Sequence, residues 1–153
     1  MEAQETIELN DFLPYRLSLL SNQVSNAISS YYADKFNLSI SGWRVIALLA
    51  QFPKSTAADL VARTKMDKVA ISRAVNALIQ QGYISRIQSK IDRRRAYLEL
   101  TETGHQVYTD IIPVAKNYEQ FLISELSNEQ LSMLNELLGQ LTERALQLDQ
   151  VNE

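Results

Sequence analysis

The sequence predicts a mainly α fold with a small two- to three-stranded β wing. Three observations lead there. Only four glycines and three prolines occur in 153 residues, so little interrupts regular structure. Long stretches place apolar residues three and four apart, the spacing that keeps one side of a helix in a core. The period changes after Gly82, where Tyr83 to Ser89 and Ala96 to Thr101 become short, partly alternating and rich in Ile, Tyr and Leu.

Taken in order, the first helix is expected to begin near Asp11. Pro14 falls in its first turn, where a missing N–H costs little. Leu17, Leu20, Val24, Ala27, Ile28 and Tyr31 carry it as one stripe to about Lys35. A break at Asn37 to Gly42 precedes a dense apolar helix from Trp43 to Phe52, which Pro53 ends. Thr56-Ala57-Ala58-Asp59 has the form of a capping box and opens a short helix to about Arg63. Asp67 caps a further helix to Gln81, and Gly82 is placed to terminate it. The two β stretches then flank Lys90 to Arg95, which reads as a hairpin tip. Thr101 or Thr103 starts a long helix to about Leu126, bent near Pro113. Ser127 or Asn128 caps a last helix striped with leucines at 131, 134, 138 and 141. The outer helices are too long for the middle block to cover, so their stripes are expected to bury by self-association, the alternative being an intramolecular helical hairpin.

Composition removes most chemistry. Without cysteine there is no disulfide framework, thiolate metal site, cysteine nucleophile or thiol redox sensor. A single histidine, His105, leaves little for metal binding or acid–base catalysis, and it reads as an exposed residue without function. No phosphate-loop, dinucleotide, zinc-protease or hydrolase motif occurs. The expectation is therefore a non-enzyme without metal, cofactor or catalytic group. No apolar run approaches the ~18 residues of a bilayer span, and Met1 to Asn10 is acidic, unlike a signal peptide. A cytoplasmic protein with no membrane partner is expected.

The net charge of −3 argues at first against a nucleic-acid partner. The charges are not evenly spread, however. Lys54 to Arg95 holds ten basic and three acidic residues, a net of +7, which leaves −10 for the rest of the chain. A basic module inside an acidic chain is the electrostatic footprint of nucleic-acid binding.

On the helix that follows Asp67, Ile71, Ala74, Val75 and Leu78 share one face at ~100° per residue. Val69, Ser72, Arg73, Asn76 and Gln80 share the other. Arg pairs bidentately with guanine, Asn or Gln with adenine, and Val touches a thymine methyl. The preceding capped helix completes a helix-turn-helix, and the arginine-rich hairpin follows directly. Thr56, Lys68 and Lys90 join these as candidate DNA contacts. At the tip, Arg93, Arg94 and Arg95 have the reach and charge for phosphates or a narrow minor groove, and Asp92 is expected to orient an arginine by a charge-assisted bond.

Asp92-Arg93-Arg94, with Leu98, Leu100-Thr101 and Gly104, resembles the wing signature of the MarR family of bacterial transcriptional regulators. Trp43 to Leu49 is similar to that family's second helix. Asp67-Lys68, Ser72-Arg73, Leu78 and Gly82-Tyr83-Ile84 look like its recognition helix running into the wing. The resemblance implies a homodimer with intertwined terminal helices and two winged helix-turn-helix lobes on a pseudo-palindromic double-stranded operator. It makes residues 1–36 and 102–153 dimerisation helices and residues 37–101 the DNA-binding lobe. It puts Arg94 in the minor groove with Asp92 orienting it. It also implies repression relieved by a small effector, an aromatic acid or phenol, bound between the dimerisation helices and the lobe.

For that effector, Arg16 at the edge of an apolar stripe, Trp43 and Arg44 are the candidate contacts, since an arginine there can pair with a carboxylate. The competing reading makes Trp43 core and Arg16 an ion-pair partner. At the level of the whole chain, the rival to a DNA-binding regulator is a winged-helix protein-interaction module whose basic wing meets an acidic protein surface.

Overall fold

The computed structural model describes residues 5–151, so the outermost parts of the two flanking segments, 1–4 and 152–153, lie outside the described residues. The order is α1 (Leu13–Phe36), α2 (Ile40–Gln51), α3 (Ala57–Thr64), α4 (Lys68–Gln80), β1 (Ile84–Gln88), β2 (Ala96–Leu100), α5 (Glu102–Ile123) and α6 (Asn128–Val151). The chain divides into two compact units between Ala115 and Lys116.

In the first unit, α2, α3, α4 and the hairpin enclose one core. Val45, Ile46, Leu60, Ile71 and Leu78 are almost wholly removed from water there, together with Tyr32 of α1 and Ile111 of α5. The inner face expected for α4 is the one observed, since Ile71, Ala74, Val75 and Leu78 are its four buried residues. β1 and β2 pair antiparallel with Ile84 opposite Leu100 and Gln88 opposite Ala96. Leu98 also donates its N–H to the Ser55 carbonyl at 2.8 Å, which adds a one-residue third rung to the wing.

Three helix boundaries differ from expectation. A 3-10 turn over Leu9–Asp11 precedes α1, which starts at Leu13, two residues after Asp11, with Pro14 in its first turn. The Asn37 to Gly42 break is shorter than expected. Ser39 Oγ accepts the Gly42 N–H at 3.0 Å, capping α2 from Ile40 and drawing Gly42 inside it. Gly42 is buried, and a Cβ there would lie 3.3 Å from Ser39 Oγ and 3.6 Å from Leu78, so this glycine marks close packing and not a loop. α5 stops at Ile123, three residues short of Leu126, and Thr101, not Thr103, caps its start by accepting the Gly104 N–H at 3.1 Å.

The second unit holds the end of α5 and all of α6. Ser127 Oγ accepts the Gln130 N–H at 3.1 Å while Gln130 Oε1 accepts the Ser127 N–H at 2.9 Å, a reciprocal capping box. Of the expected leucine stripe on α6, Leu134, Leu138 and Leu141 are exposed in the single chain and Leu131 is half-buried.

Candidate nucleic-acid interface

The short segment Thr56–Gln80 is built as two capped helices and a tight turn. Thr56 Oγ1 accepts the Asp59 N–H at 3.1 Å, and Asp59 accepts the Thr56 N–H at 2.8 Å, which fixes the start of α3. That main-chain N–H bond, with Thr56 Oγ1 and then Arg63 and Arg95 adding smaller effects, holds the Asp59 carboxyl below its ordinary value. Lys65 closes α3 in the left-handed region, at φ 54°, and turns the chain into α4. Asp67 Oδ2 accepts the N–H groups of Val69 and Ala70 at 3.1 and 3.2 Å. Two of the free donors at the start of α4 are thereby satisfied, and a carboxylate sits at the positive end of the helix dipole.

The outer face of α4 presents Lys68, Val69, Ser72, Arg73, Asn76 and Gln80, all exposed. From Val69 to Gln80 this array runs about 16 Å along the helix, long enough to span several base steps in a major groove. Gly82, at φ 78°, ends α4. Its N–H reaches the Ile79 carbonyl and the Tyr83 N–H reaches Leu78, both at 3.0 Å. The chain leaves this stop directly into β1, so helix and wing have a fixed relation.

The wing tip is a network of main-chain bonds. Ser89 Oγ accepts the N–H groups of Ile91 and Asp92 at 3.3 and 3.2 Å, and Asp92 Oδ1 accepts the Arg94 N–H at 3.0 Å. Arg95 donates its N–H to the Asp92 carbonyl, Ser89 donates to Arg95, and Gln88 Nε2 donates to the Arg93 carbonyl. Asp92 therefore meets an arginine of the tip through the main-chain N–H of Arg94, a charge-assisted bond to its carboxylate. Local turn geometry selects this donor, because the carboxylate two residues back lies within reach of that N–H. Lys90, Arg93, Arg94 and Arg95 are exposed.

A cleft of about 650 Å³ separates the start of α3 from the wing and is lined by Thr56, Asp59, Arg86, Arg94 and Arg95. A second, of about 400 Å³, lies between α3 and α4, lined by Val61, Lys68, Ser72 and Arg86 among others. Thr56 is thus brought together with Arg94 and Arg95 in the first cleft, and Lys68 with Ser72 in the second, while Asn76 and Gln80 lie further along α4 and line neither. Arg86 borders both clefts and was absent from the expected contacts. Parity along β1 was the available signal, since Arg86 is two residues from buried Ile84 and shares its side of the strand.

The three residues expected at an effector site do not converge. Trp43 is half-buried between Tyr32 and Tyr108, with ring centroids 6.0 Å away in both cases, and joins α1, α2 and α5. Burial raises the Tyr32 phenol above its ordinary value, and the Arg44 charge opposes that shift. Arg44 is exposed, with Nη2 at 3.5 Å from Ser25 Oγ. Trp43 and Arg44 share a shallow cavity of about 300 Å³ with Leu48, Gln51 and Thr64. Arg16 is exposed and lies nine residues before Ser25 on α1, about 13 Å along the axis.

The MarR family model matches residues 36–95, the helix-turn-helix and most of the wing. The chain is 26% identical over 108 residues to the HTH-type transcriptional regulator FarR of Neisseria gonorrhoeae, covering 71% of this chain and 74% of that one. It is 22% identical over 125 residues to the homoprotocatechuate degradative operon repressor of Escherichia coli, covering 80% and 84%. Among solved structures, a MarR/EmrR family transcriptional regulator from Acinetobacter sp. ADP1 superposes with a TM-score of 0.85 at 26% identity, over 92% of this chain and 99% of that one. A putative MarR family regulator from Listeria monocytogenes, solved with a 26mer DNA, gives a TM-score of 0.81 at 21% identity over 88% of each chain.

Proposed function

The chain belongs to the MarR family of transcriptional regulators, and from that premise we propose that it is a dimeric, sequence-specific repressor. It binds a pseudo-palindromic operator and leaves it when a small aromatic acid or phenol binds. The observation that carries this reading is the sorting of α4, with four buried apolar residues on one side and the exposed array from Lys68 to Gln80 on the other, next to a wing of exposed arginines.

In this reading α4 enters the major groove. Arg73 and Asn76 make the bidentate base contacts, Ser72 and Gln80 add single bonds, and Val69 meets a thymine methyl. Lys68 and Thr56 hold phosphates at the entrance to the groove, and Lys90, Arg93 and Arg95 hold them beside the wing. Arg94 enters the adjacent minor groove, where the potential is most negative, and Asp92 sets its direction through the main-chain bond. Exposed leucines support the dimer. Leu134, Leu138 and Leu141 on α6 and Leu13, Leu17 and Leu20 on α1 carry apolar surface that a second copy would cover. Two lobes related by a twofold axis would then read half-sites about one helical turn apart.

For the effector, the Trp43–Arg44 cavity offers a ring face and a guanidinium, which suits an aromatic carboxylate. Arg16 joins it only if it is supplied from elsewhere in the dimer. The function is tested by fluorescence anisotropy on the chain's own promoter duplex and on random duplex at moderate salt. Tighter binding to the promoter is expected, and a dimer with no preference would overturn the assignment.

A further inference from the structure

One feature of the wing is used neither by the recognition helix nor by the arginines. Ile91, at the hairpin tip, is 100% exposed, above every other large apolar side chain among the described residues. Single exposed apolar residues are ordinary on protein surfaces. This one is set apart by where it is held. Six hydrogen bonds to or from main-chain groups between Ser89 and Arg95 fix the tip, one of them from the Ile91 N–H itself. Turn formation favours Gly, Asn, Asp or Ser at such a place, and a β-branched residue gains nothing there from packing. Lys90 precedes it, Asp92 follows with its carboxylate engaged by the Arg94 N–H, and Arg93 to Arg95 come within four residues. A rigid, wholly solvated apolar group among cations is complementary to a polyanion that also has apolar walls.

Double-stranded DNA has both features in its minor groove, where deoxyribose rings form the walls between the phosphates. We propose that Ile91 is an apolar minor-groove contact, lodged against the sugar walls while the neighbouring arginines follow the groove. The inference rests on the DNA-binding role proposed above and adds to it a contact that depends on shape and not on charge. Apolar side chains used in this way press on base steps and favour deformable sequence at the flank of a site.

The distinction between apolar and ionic contacts makes the test specific. Binding is measured by anisotropy across a range of salt concentrations on a duplex selected from a random library by the wild-type dimer. Ile91→Ala is expected to weaken binding about tenfold per protomer, the size expected for withdrawing most of an isoleucine from an apolar contact, with the slope of log K against log salt unchanged. Ile91→Leu restores most of the affinity. Arg94→Ala in parallel lowers the slope by about one per protomer. Unaltered affinity in Ile91→Ala overturns the inference, as does loss of affinity with a changed slope. Wild-type adhesion to anionic vesicles that Ile91→Ala abolishes, with DNA binding intact, would reassign the tip to a membrane surface. If no duplex can be selected, the DNA-binding reading itself falls and this contact with it. A selected duplex bound equally by wild type and Ile91→Ala removes only the contact.

Discussion

Gly104 lies so close to the Tyr83 carbonyl that a Cβ built on it would stand 1.9 Å from the oxygen. Around this approach Thr101 donates its N–H to the same carbonyl at 3.0 Å, and Thr101 Oγ1 donates to the Gly82 carbonyl at 2.6 Å. The start of α5 is thereby clamped to the residues that link α4 to the wing. On the other side, Gln81 Nε2 and Tyr83 Oη donate to the carbonyls of Asn37 and Phe36, at the end of α1, at 2.8 and 3.0 Å.

Gly104→Ala is therefore expected to be severe. The obstacle is backbone and cannot rotate away, so α5 must shift from the wing at a cost of about 1–3 kcal/mol or more. Urea unfolding at fixed protein concentration measures the loss. Gly82→Ala provides the contrast, since nothing lies within 4 Å of its Cβ and only the positive φ of 78° is unfavourable. Its cost is expected to be about 1 kcal/mol.

Asp67→Ala removes the acceptor for two N–H groups at the start of α4 and is expected to cost about 0.5–2 kcal/mol. The same turn carries Lys68 and Val69, so fraying should also weaken operator binding. Asp67→Ser retains an acceptor and should recover most of both losses. Thermal unfolding and anisotropy on the same preparations check the pair. Equal operator affinity in wild type and Asp67→Ala would mean that the first turn of α4 takes no part in binding.

Asp59 gives a pH dependence whose sign follows from its surroundings. Its carboxyl is held below the ordinary value of 3.8, mainly by the Thr56 main-chain N–H. A depressed folded value means the stabilisation is complete above the unfolded value and is lost as pH falls from about 4 through the lowered one. Asp59→Asn keeps an acceptor but carries no titrating charge. Its stability should therefore fall less steeply than that of wild type over this acid range, and be lower at neutral pH. Parallel acid limbs in urea titrations would contradict the capping role.

Much of this was legible in the sequence because the deciding signals were local. Thr56 with Asp59, Asp67 before an apolar period, and Gly82 after it are short-range chemistry, and all three sit where spacing put them. The buried face of α4 followed from periodicity alone. Gly42 misled because a helix-internal glycine can mark a close approach to Leu78, which no local pattern reports. Charge in the sequence pointed to Asp92 holding an arginine, but not to which donor of that arginine it meets. Arg86 was overlooked because its importance comes from the meeting of α3, α4 and β1. The convergence of Arg16 with Trp43 and Arg44 was inferred from types of residue, and the separation of Arg16, near the start of α1, from the pair on α2 is a property of the fold.

The division of labour proposed for α4 and the wing yields the sharpest prediction. Arg73 and Asn76 stand on the exposed face of α4, so replacing either with Ala should reduce the ratio of specific to random-duplex affinity, by about 1–3 kcal/mol for a lost bidentate contact. Random-duplex affinity changes little for Asn76→Ala, which removes no charge. Arg94→Ala should behave in the opposite way, weakening both duplexes together and flattening the salt dependence, because a wing cation releases counterions wherever it binds. Anisotropy titrations on the two duplexes at several salt concentrations separate the classes. An unchanged ratio in both α4 variants would mean that this helix reads no bases, and sequence preference would then have to arise from groove shape at the wing.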